Sequence, residues 1–344
     1  MRAVVIRAPG GPEVLELREV PMPAPGRGEV RVRVSASGLN RADLLQRRGT
    51  YPAPPGWPAD IPGLEFAGTV EALGEGAEVQ ASDADKLKQE TGTPGQVRIG
   101  DRVMGILGGG GYAEAVVTHA RELVPVPQGL SLGDAGAVPE VFMTAFDALF
   151  LQMGLHTSET VLVHAVGSGV GTAALQLARA AGARVIGTSR TAAKLARARE
   201  LGLDEGVHVE DAGWPERVLE LTGGRGADVI LDLVGGPYLA GSQKALAHRG
   251  RMIVVGVTGG GRAELDLRAL LTKRVSITGT VLRSRPLEEK IALARAFTER
   301  VVPLLASGAV RPVVDAVYRP EQVGEAHARL EADDTFGKLV LAWK

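Results

Sequence analysis

The segment EVRVRVS, Glu29 to Ser35, sets Val30, Val32 and Val34 between charged or polar neighbours. That period of two predicts a strand with one buried face. Similar short runs lie at Ala3 to Ile6, Thr69 to Leu73 and Ala113 to Val117, with frequent Gly and Pro between them. Many short strands with turn punctuation predict a compact, mostly β domain up to about residue 135. Gln80 to Gln96 (QASDADKLKQETGTPGQ) breaks the pattern and reads as a solvated insertion, with Ser82 capping a short helix through Leu87.

From about Val138 the texture changes to apolar runs at Val161 to His164, Arg184 to Thr188, Val229 to Asp232 and Met252 to Gly256. Helical patterns separate them at Gly171 to Ala181, Thr191 to Leu201, Trp214 to Leu221 and Tyr238 to Ala247. Strands alternating with helices predict βαβ units and a doubly wound parallel sheet of the Rossmann type. From about Leu282 the pattern returns to helix and short strands, ending in KLVLAWK. That last run is expected to pair back into the first domain. The α/β fold is then discontinuous: residues 1–137 and 282–344 make one domain, with 80–96 inserted, and residues 138–281 the other.

Composition narrows the chemistry. There is no cysteine, which excludes disulfides, a thiolate nucleophile and a Cys-ligated zinc site. The six histidines show no paired metal-binding spacing. A formal net charge of -1 gives no reason to expect nucleic acid or an anionic membrane as partner. No apolar stretch approaches the ~18 residues needed to span a bilayer. The N-terminus opens on a strand-like run without a signal-peptide core, so a cytoplasmic protein is expected.

Residues 161–190, VLVHAVGSGVGTAALQLARAAGARVIGTSR, read as strand, Gly-rich turn, amphipathic helix and second strand. Gly167, Gly169 and Gly171 depart from a strict G-x-G-x-x-G, but the whole context points to a dinucleotide. The turn at Gly167, Ser168, Gly169 and Val170 would offer backbone N–H groups and a helix N-terminus to a pyrophosphate. An NAD site usually carries a carboxylate at the end of the second strand. Here the chain reads Thr188, Ser189, Arg190, Thr191, with Lys194 one turn on, and no Asp or Glu from Gly171 to Glu200. Arg190 and Lys194 as cations, with Ser189 or Thr191 as hydroxyl donors, suit a ribose phosphate and favour NADPH.

Along nearly its whole length the chain resembles the zinc-free quinone oxidoreductase branch of the medium-chain dehydrogenase/reductase superfamily. The resemblance rests on RADLLQRRGTYPAPPGWPADIPGLEFAGTVEALGEGAEV, GDRVMGI, VPEVFMTAFDAL, the nucleotide turn, DVILDLVGG and FGKLVL. PEVFMTAF, SGVGTAALQLAR and VLRSR look most like the tumour-suppressor-inducible type. The branch implies a GroES-like catalytic domain beside the Rossmann domain. Where alcohol-dehydrogenase relatives place a Cys and a His on catalytic zinc, this sequence has Asn40 and Leu64, so no metal is expected.

The resemblance further implies that Asn40 lies beside the nicotinamide and Tyr51 at the mouth of the substrate cleft. By the same token Thr144, Gly256 and Leu282 contact the cofactor, and Lys338 lies near the cofactor cleft. Each residue has a plainer reading: Asn40 as a turn former, Tyr51 as a packing aromatic, Thr144 bonded to its own helix. Glu65 and Asp232 also match family positions, and read equally well as structural carboxylates. Val209 stands near a position where relatives carry a Tyr against the adenine. The expected reaction is NADPH-dependent reduction of a small quinone. The alternatives are an alkenal, enone or enoyl-thioester reductase, or a non-catalytic NADPH-binding protein. The run VSITGTV, Val275 to Val281, reads as the last strand of the nucleotide sheet, and covering that edge predicts a homodimer.

Overall fold

The computed structural model describes residues 1–77, 97–209 and 213–343, so the 80–96 segment and its expected helix from Ser82 lie outside the described residues. The chain divides into two compact units. The first comprises Met1–Met143, Arg283–Gly308 and Val314–Lys344, and the second Thr144–Leu282 and Ala309–Val313. The first unit carries strands β1 (Arg2–Ile6), β2 (Leu15–Glu19), β3 (Glu29–Gly38), β4 (Glu65–Leu73), β5 (Arg102–Ile106), β6 (Ala115–His119) and β7 (Val124–Pro125). The second carries β8 (Thr160–Val163), β9 (Arg184–Ser189), β10 (Glu205–His208), β11 (Ala227–Asp232), β12 (Leu246–Val254) and β13 (Ser276–Gly279). The chain then adds β14 (Val314–Tyr318) and β15 (Lys338–Ala342) to the first unit.

The alternating valines of β3 bury as their period requires, with Val30, Val32 and Val34 in the core. β3 pairs antiparallel with β4 over residues 30–36, with β6 over 29–33 and with β15 over 36–38, which makes it the spine of this unit. β15 has no alternation: Leu339, Val340 and Leu341 are all buried, as expected of a strand covered on both faces. Its register sets Val340 opposite Gly38 and Leu341 opposite Ser37. The C-terminal run therefore completes a sheet begun some three hundred residues earlier, and the fold is discontinuous in sequence.

In the second unit all six strands are parallel, in the order β10-β9-β8-β11-β12-β13. Numbered within the unit this is 3-2-1-4-5-6, the doubly wound order whose direction reverses between β8 and β11. Ligands of such sheets bind outside the carboxyl ends of the strands at that reversal. The helix Gly169–Ala180 buries Ala173, Ala174, Leu177 and Ala178, and Gly182, at φ 77°, allows the left-handed turn that ends it.

One expected helix is shorter than its pattern. Tyr238 to Ala247 divides into a 3-10 turn at Gly236–Tyr238, a helix at Leu239–Ala245 and the start of β12. Leu246 pairs with Ala227, and the register then jumps so that Arg251 faces Val229. Arg249, at φ 61°, lies in that irregularity. Leu246 and Ala247 satisfy a helical pattern as well as a strand, and in the structure both are buried at the start of β12, where Leu246 pairs with Ala227 of β11.

Candidate functional site

The nucleotide turn is built mainly from backbone. Ser168 caps the helix Gly169–Ala180, its hydroxyl accepting from the Gly171 amide at 3.1 Å. The next amide, Thr172, donates to the Ser168 carbonyl at 2.8 Å. Gly169 and Val170, the first two residues of the helix, are left with amides that have no acceptor among the described residues. A Cβ on Gly171 would lie 2.5 Å from the Ala165 carbonyl oxygen, so only glycine lets the turn close against β8. Ala165 itself takes φ 50°. Unpartnered amides at the positive end of a helix, at the sheet's reversal point, fit a pyrophosphate.

Around that turn, Thr188 and Ser189 are buried at the end of β9, and the Ser189 hydroxyl accepts from the Thr191 amide at 3.2 Å. Arg190 is exposed and its charge reaches Tyr238, while Lys194 is half-buried in the helix Ala192–Glu200. Val209 packs with Tyr238 on the core that includes Trp214, whose ring stacks on Tyr238 at 5.6 Å. Burial holds the Tyr238 phenol above its ordinary value, with Arg190 acting the other way. Gly256 lies just beyond β12, its amide donating to the Asp232 carbonyl at 3.3 Å. Asp232 secures the loop after β11 by accepting from Val234 and Gly235, and its second carboxyl oxygen is buried without a partner among the described residues. Thr144 and Leu282 are both buried residues of this unit.

The first unit carries a network of side chains instead. Asn40 precedes the helix Arg41–Arg47, and its amide nitrogen in the backbone donates to Asp43 at 2.7 Å. Its side chain turns elsewhere. Asn40 Nδ2 donates to Glu65 Oε1 at 2.9 Å, and Asn40 Oδ1 accepts from Lys338 Nζ at 2.6 Å. The carboxylate and the ammonium thereby fix which way the amide points. Lys338 also pairs with Glu65 at 2.7 Å and donates to the Leu39 carbonyl at 2.5 Å. Glu65 is 0% exposed, Lys338 3% and Asn40 9%.

Lys338, expected near the cofactor cleft, therefore has all three ammonium donors engaged inside this network. Glu65, open to a structural reading in the sequence, joins three elements, because its other oxygen accepts from the Glu140 amide at 2.9 Å. Asp43 receives the Tyr112 hydroxyl at 2.9 Å and the Gly63 amide at 3.1 Å, yet burial pushes its carboxyl up to about 6.

Tyr51 is held through Arg283. That arginine is buried, donates to the carbonyls of Tyr51 at 3.1 Å and Gly108 at 2.8 Å, and bonds Gln46 Oε1 at 2.5 Å. Its guanidinium lies 4.9 Å from the centre of the Tyr51 ring, and burial raises the phenol above its ordinary value. Sequence reasoning passed over Arg283, Asp43 and Glu140, although each stands inside a quoted motif. Their only signal was a charged residue set in an apolar stretch.

Two family models match the chain: an alcohol dehydrogenase GroES-like domain over residues 26–128, and a zinc-binding dehydrogenase over residues 169–299. A quinone oxidoreductase of Pseudomonas aeruginosa is 33% identical, covering 99% of this chain and 99% of that one. The quinone oxidoreductase of Rattus norvegicus is 31% identical over 99% of this chain and 97% of its own. The chain belongs to the quinone oxidoreductase branch of the medium-chain dehydrogenase/reductases. It is thus an oxidoreductase of a family that works with a nicotinamide cofactor.

Among solved structures, an NAD-dependent alcohol dehydrogenase superposes with a TM-score of 0.85 at 36% identity, each chain covered in full. A mycobacterial protein complexed with NADPH gives 0.84 at 30%, again with both chains covered in full. The zinc in the family model's description does not fit this chain's donors. Asn40 Oδ1 is engaged by an ammonium, and Leu64 has no donor atom. Among the described residues no group of three His, Cys, Asp or Glu side chains is placed to hold a metal ion. Among them, too, no helix is long and apolar enough to cross a membrane.

Proposed function

We propose that this protein is a cytoplasmic, zinc-independent reductase that passes reducing equivalents from NADPH to a small quinone. The observation that carries the cofactor choice is the end of β9. Ser189, Arg190, Thr191 and Lys194 follow a strand paired beside β8, and no carboxylate stands there to hold a free ribose hydroxyl. In this reading Gly167, Ser168, Gly169 and Val170 receive the pyrophosphate, and Thr144, Gly256 and Leu282 complete the cofactor site. NADPH supplies the reducing pair when bound. The residues of the first unit serve the acceptor: Tyr51 hydrogen-bonds its oxygen, and Lys338 and Glu65 hold Asn40 in one orientation. A quinone is electron-poor, so positioning rather than Lewis-acid activation is what it requires.

The test is oxidation of NADPH with a benzoquinone, a naphthoquinone, an alkenal and a crotonyl thioester, each repeated with NADH. Fast quinone turnover with NADPH preferred supports the reading. Turnover confined to the alkenal or thioester would move the protein to the double-bond reductases, and NADPH binding without turnover to the non-catalytic binders.

A homodimer belongs to the same proposal. β13 is the outermost strand of its sheet, and Val257, Leu265, Leu267, Leu271 and Val281 are exposed in the segment around it. A sheet edge and apolar side chains together suit a second copy of the chain. Light scattering should give twice the chain mass, and Leu271→Glu should shift it toward the monomer.

A further inference from the structure

We propose that Glu140 is the acid of the reaction, giving its proton to the oxygen of the reduced acceptor. The inference rests on the quinone reading above and adds a catalytic residue to it.

Glu140 differs from the other carboxyls of its cluster in two ways. Its carboxyl has no hydrogen-bond partner among the described residues, whereas Asp43 accepts from Asn40, Gly63 and Tyr112 and Glu65 is paired with Lys338. Its main chain is anchored, because its amide donates to Glu65 at 2.9 Å. An anchored carboxyl with no competing partner is what a proton donor requires.

Its surroundings keep the proton on. A carboxylate in the first turn of a helix is ordinarily stabilised by the dipole. Here burial first, and then the charge of Glu65, push Glu140 up to about 8. Asp43, from the helix Arg41–Arg47, acts in the same direction. Lys338 on β15 and Arg283 act against it. Lys290, in the helix Leu287–Arg300, and the Tyr51 phenol also feel the charge of Glu140.

The chemistry balances. Transfer of a hydride from NADPH to a quinone yields NADP+ and a hydroquinone monoanion. The O–H bond of Glu140 then breaks and a new O–H bond forms on that anion. Water returns a proton to the carboxylate before the next cycle.

The first readout needs no cofactor. Infrared spectra of the protein alone, from pH 6 to 10, should show a protonated-carboxyl C=O band that disappears near pH 8. Glu140→Gln should lack it, and Glu140→Asp should keep a shifted one. A missing band, or one unchanged in Glu140→Gln, overturns the proposal.

Kinetics supply the second readout. With a naphthoquinone, Glu140→Gln should lower kcat about 10-fold, below the usual range for general acids because the acceptor is electron-poor. The wild-type decline in kcat above pH 8 should vanish in that variant, and the KM for NADPH should stay the same. An unchanged kcat and pH profile would also overturn the proposal. A wild-type protein that shows the band but reduces no quinone would sink the quinone reading, and proton delivery with it. Quinone turnover without the band would sink only the role of Glu140.

Discussion

The two units build their candidate sites in different ways. In the second unit a single run of 35 residues, from the start of β8 to Lys194, contributes the turn, the cap, the helix N-terminus and the cations. Its contacts are backbone amides and one capping hydroxyl, with partners three or four residues apart. In the first unit Asn40 meets Glu65 and Lys338, and Arg283 meets Gln46 and Tyr51, across separations of 25 to 298 residues. A local backbone site tolerates change in distant segments. A site assembled from distant buried charges fails when one member is lost, because the others are left buried and unpaired.

The largest effect should therefore follow from Lys338→Met. Removing the ammonium leaves Glu65 and Asn40 Oδ1 buried with too few donors, which should cost about 3–5 kcal/mol in urea unfolding. Lys338→Met combined with Glu65→Gln should cost clearly less than the sum of the two single changes. Additive costs would show that the network is not a unit.

Next in size, Gly171→Ala forces a Cβ against the Ala165 carbonyl, and overpacking of this kind costs about 1–3 kcal/mol. Because the damage is local, nucleotide binding should weaken while the first unit keeps its hydrogen-exchange protection. Loss of protection in both units would break the contrast between local and distributed sites.

Arg190→Ala with Lys194→Ala should leave stability nearly unchanged and reduce the preference for NADPH over NADH about 10-fold, read as a ratio of kcat/KM values. An unaltered ratio would mean that these cations do not read the ribose phosphate.

The last prediction concerns stability against pH. A carboxyl raised from 4.5 to about 8 on folding costs stability progressively as pH climbs through that window, and the full cost is present above it. Glu140→Gln removes that cost. Its melting temperature should match that of the wild type near pH 4 and exceed it by a few degrees at pH 9. Equal melting temperatures at both pH values would show that folding does not raise Glu140.

Periodicity carried much of this molecule. The valines of β3, the alanine-rich face of the helix Gly169–Ala180 and the strand-helix alternation after Val138 each obey a local rule that one segment can display. The rule failed at Leu246 and Ala247, where two apolar residues fit a helix end or a strand start equally well. Lys338 shows a different limit. The resemblance implied a place near the cofactor cleft, but its contacts are with Leu39, Asn40 and Glu65, none of them near it in sequence.

The sequence alone determined the parallel nucleotide sheet, its Gly-rich turn and the basic residues after β9, because each of these is written within a few dozen contiguous residues. Tertiary structure alone decided that Asn40 is oriented by a buried ion pair, that Arg283 holds Tyr51, and that Glu140 has a carboxyl set among charged neighbours. The reason is physical: the energy of a charge depends on what surrounds it in space, and those neighbours come from opposite ends of the chain.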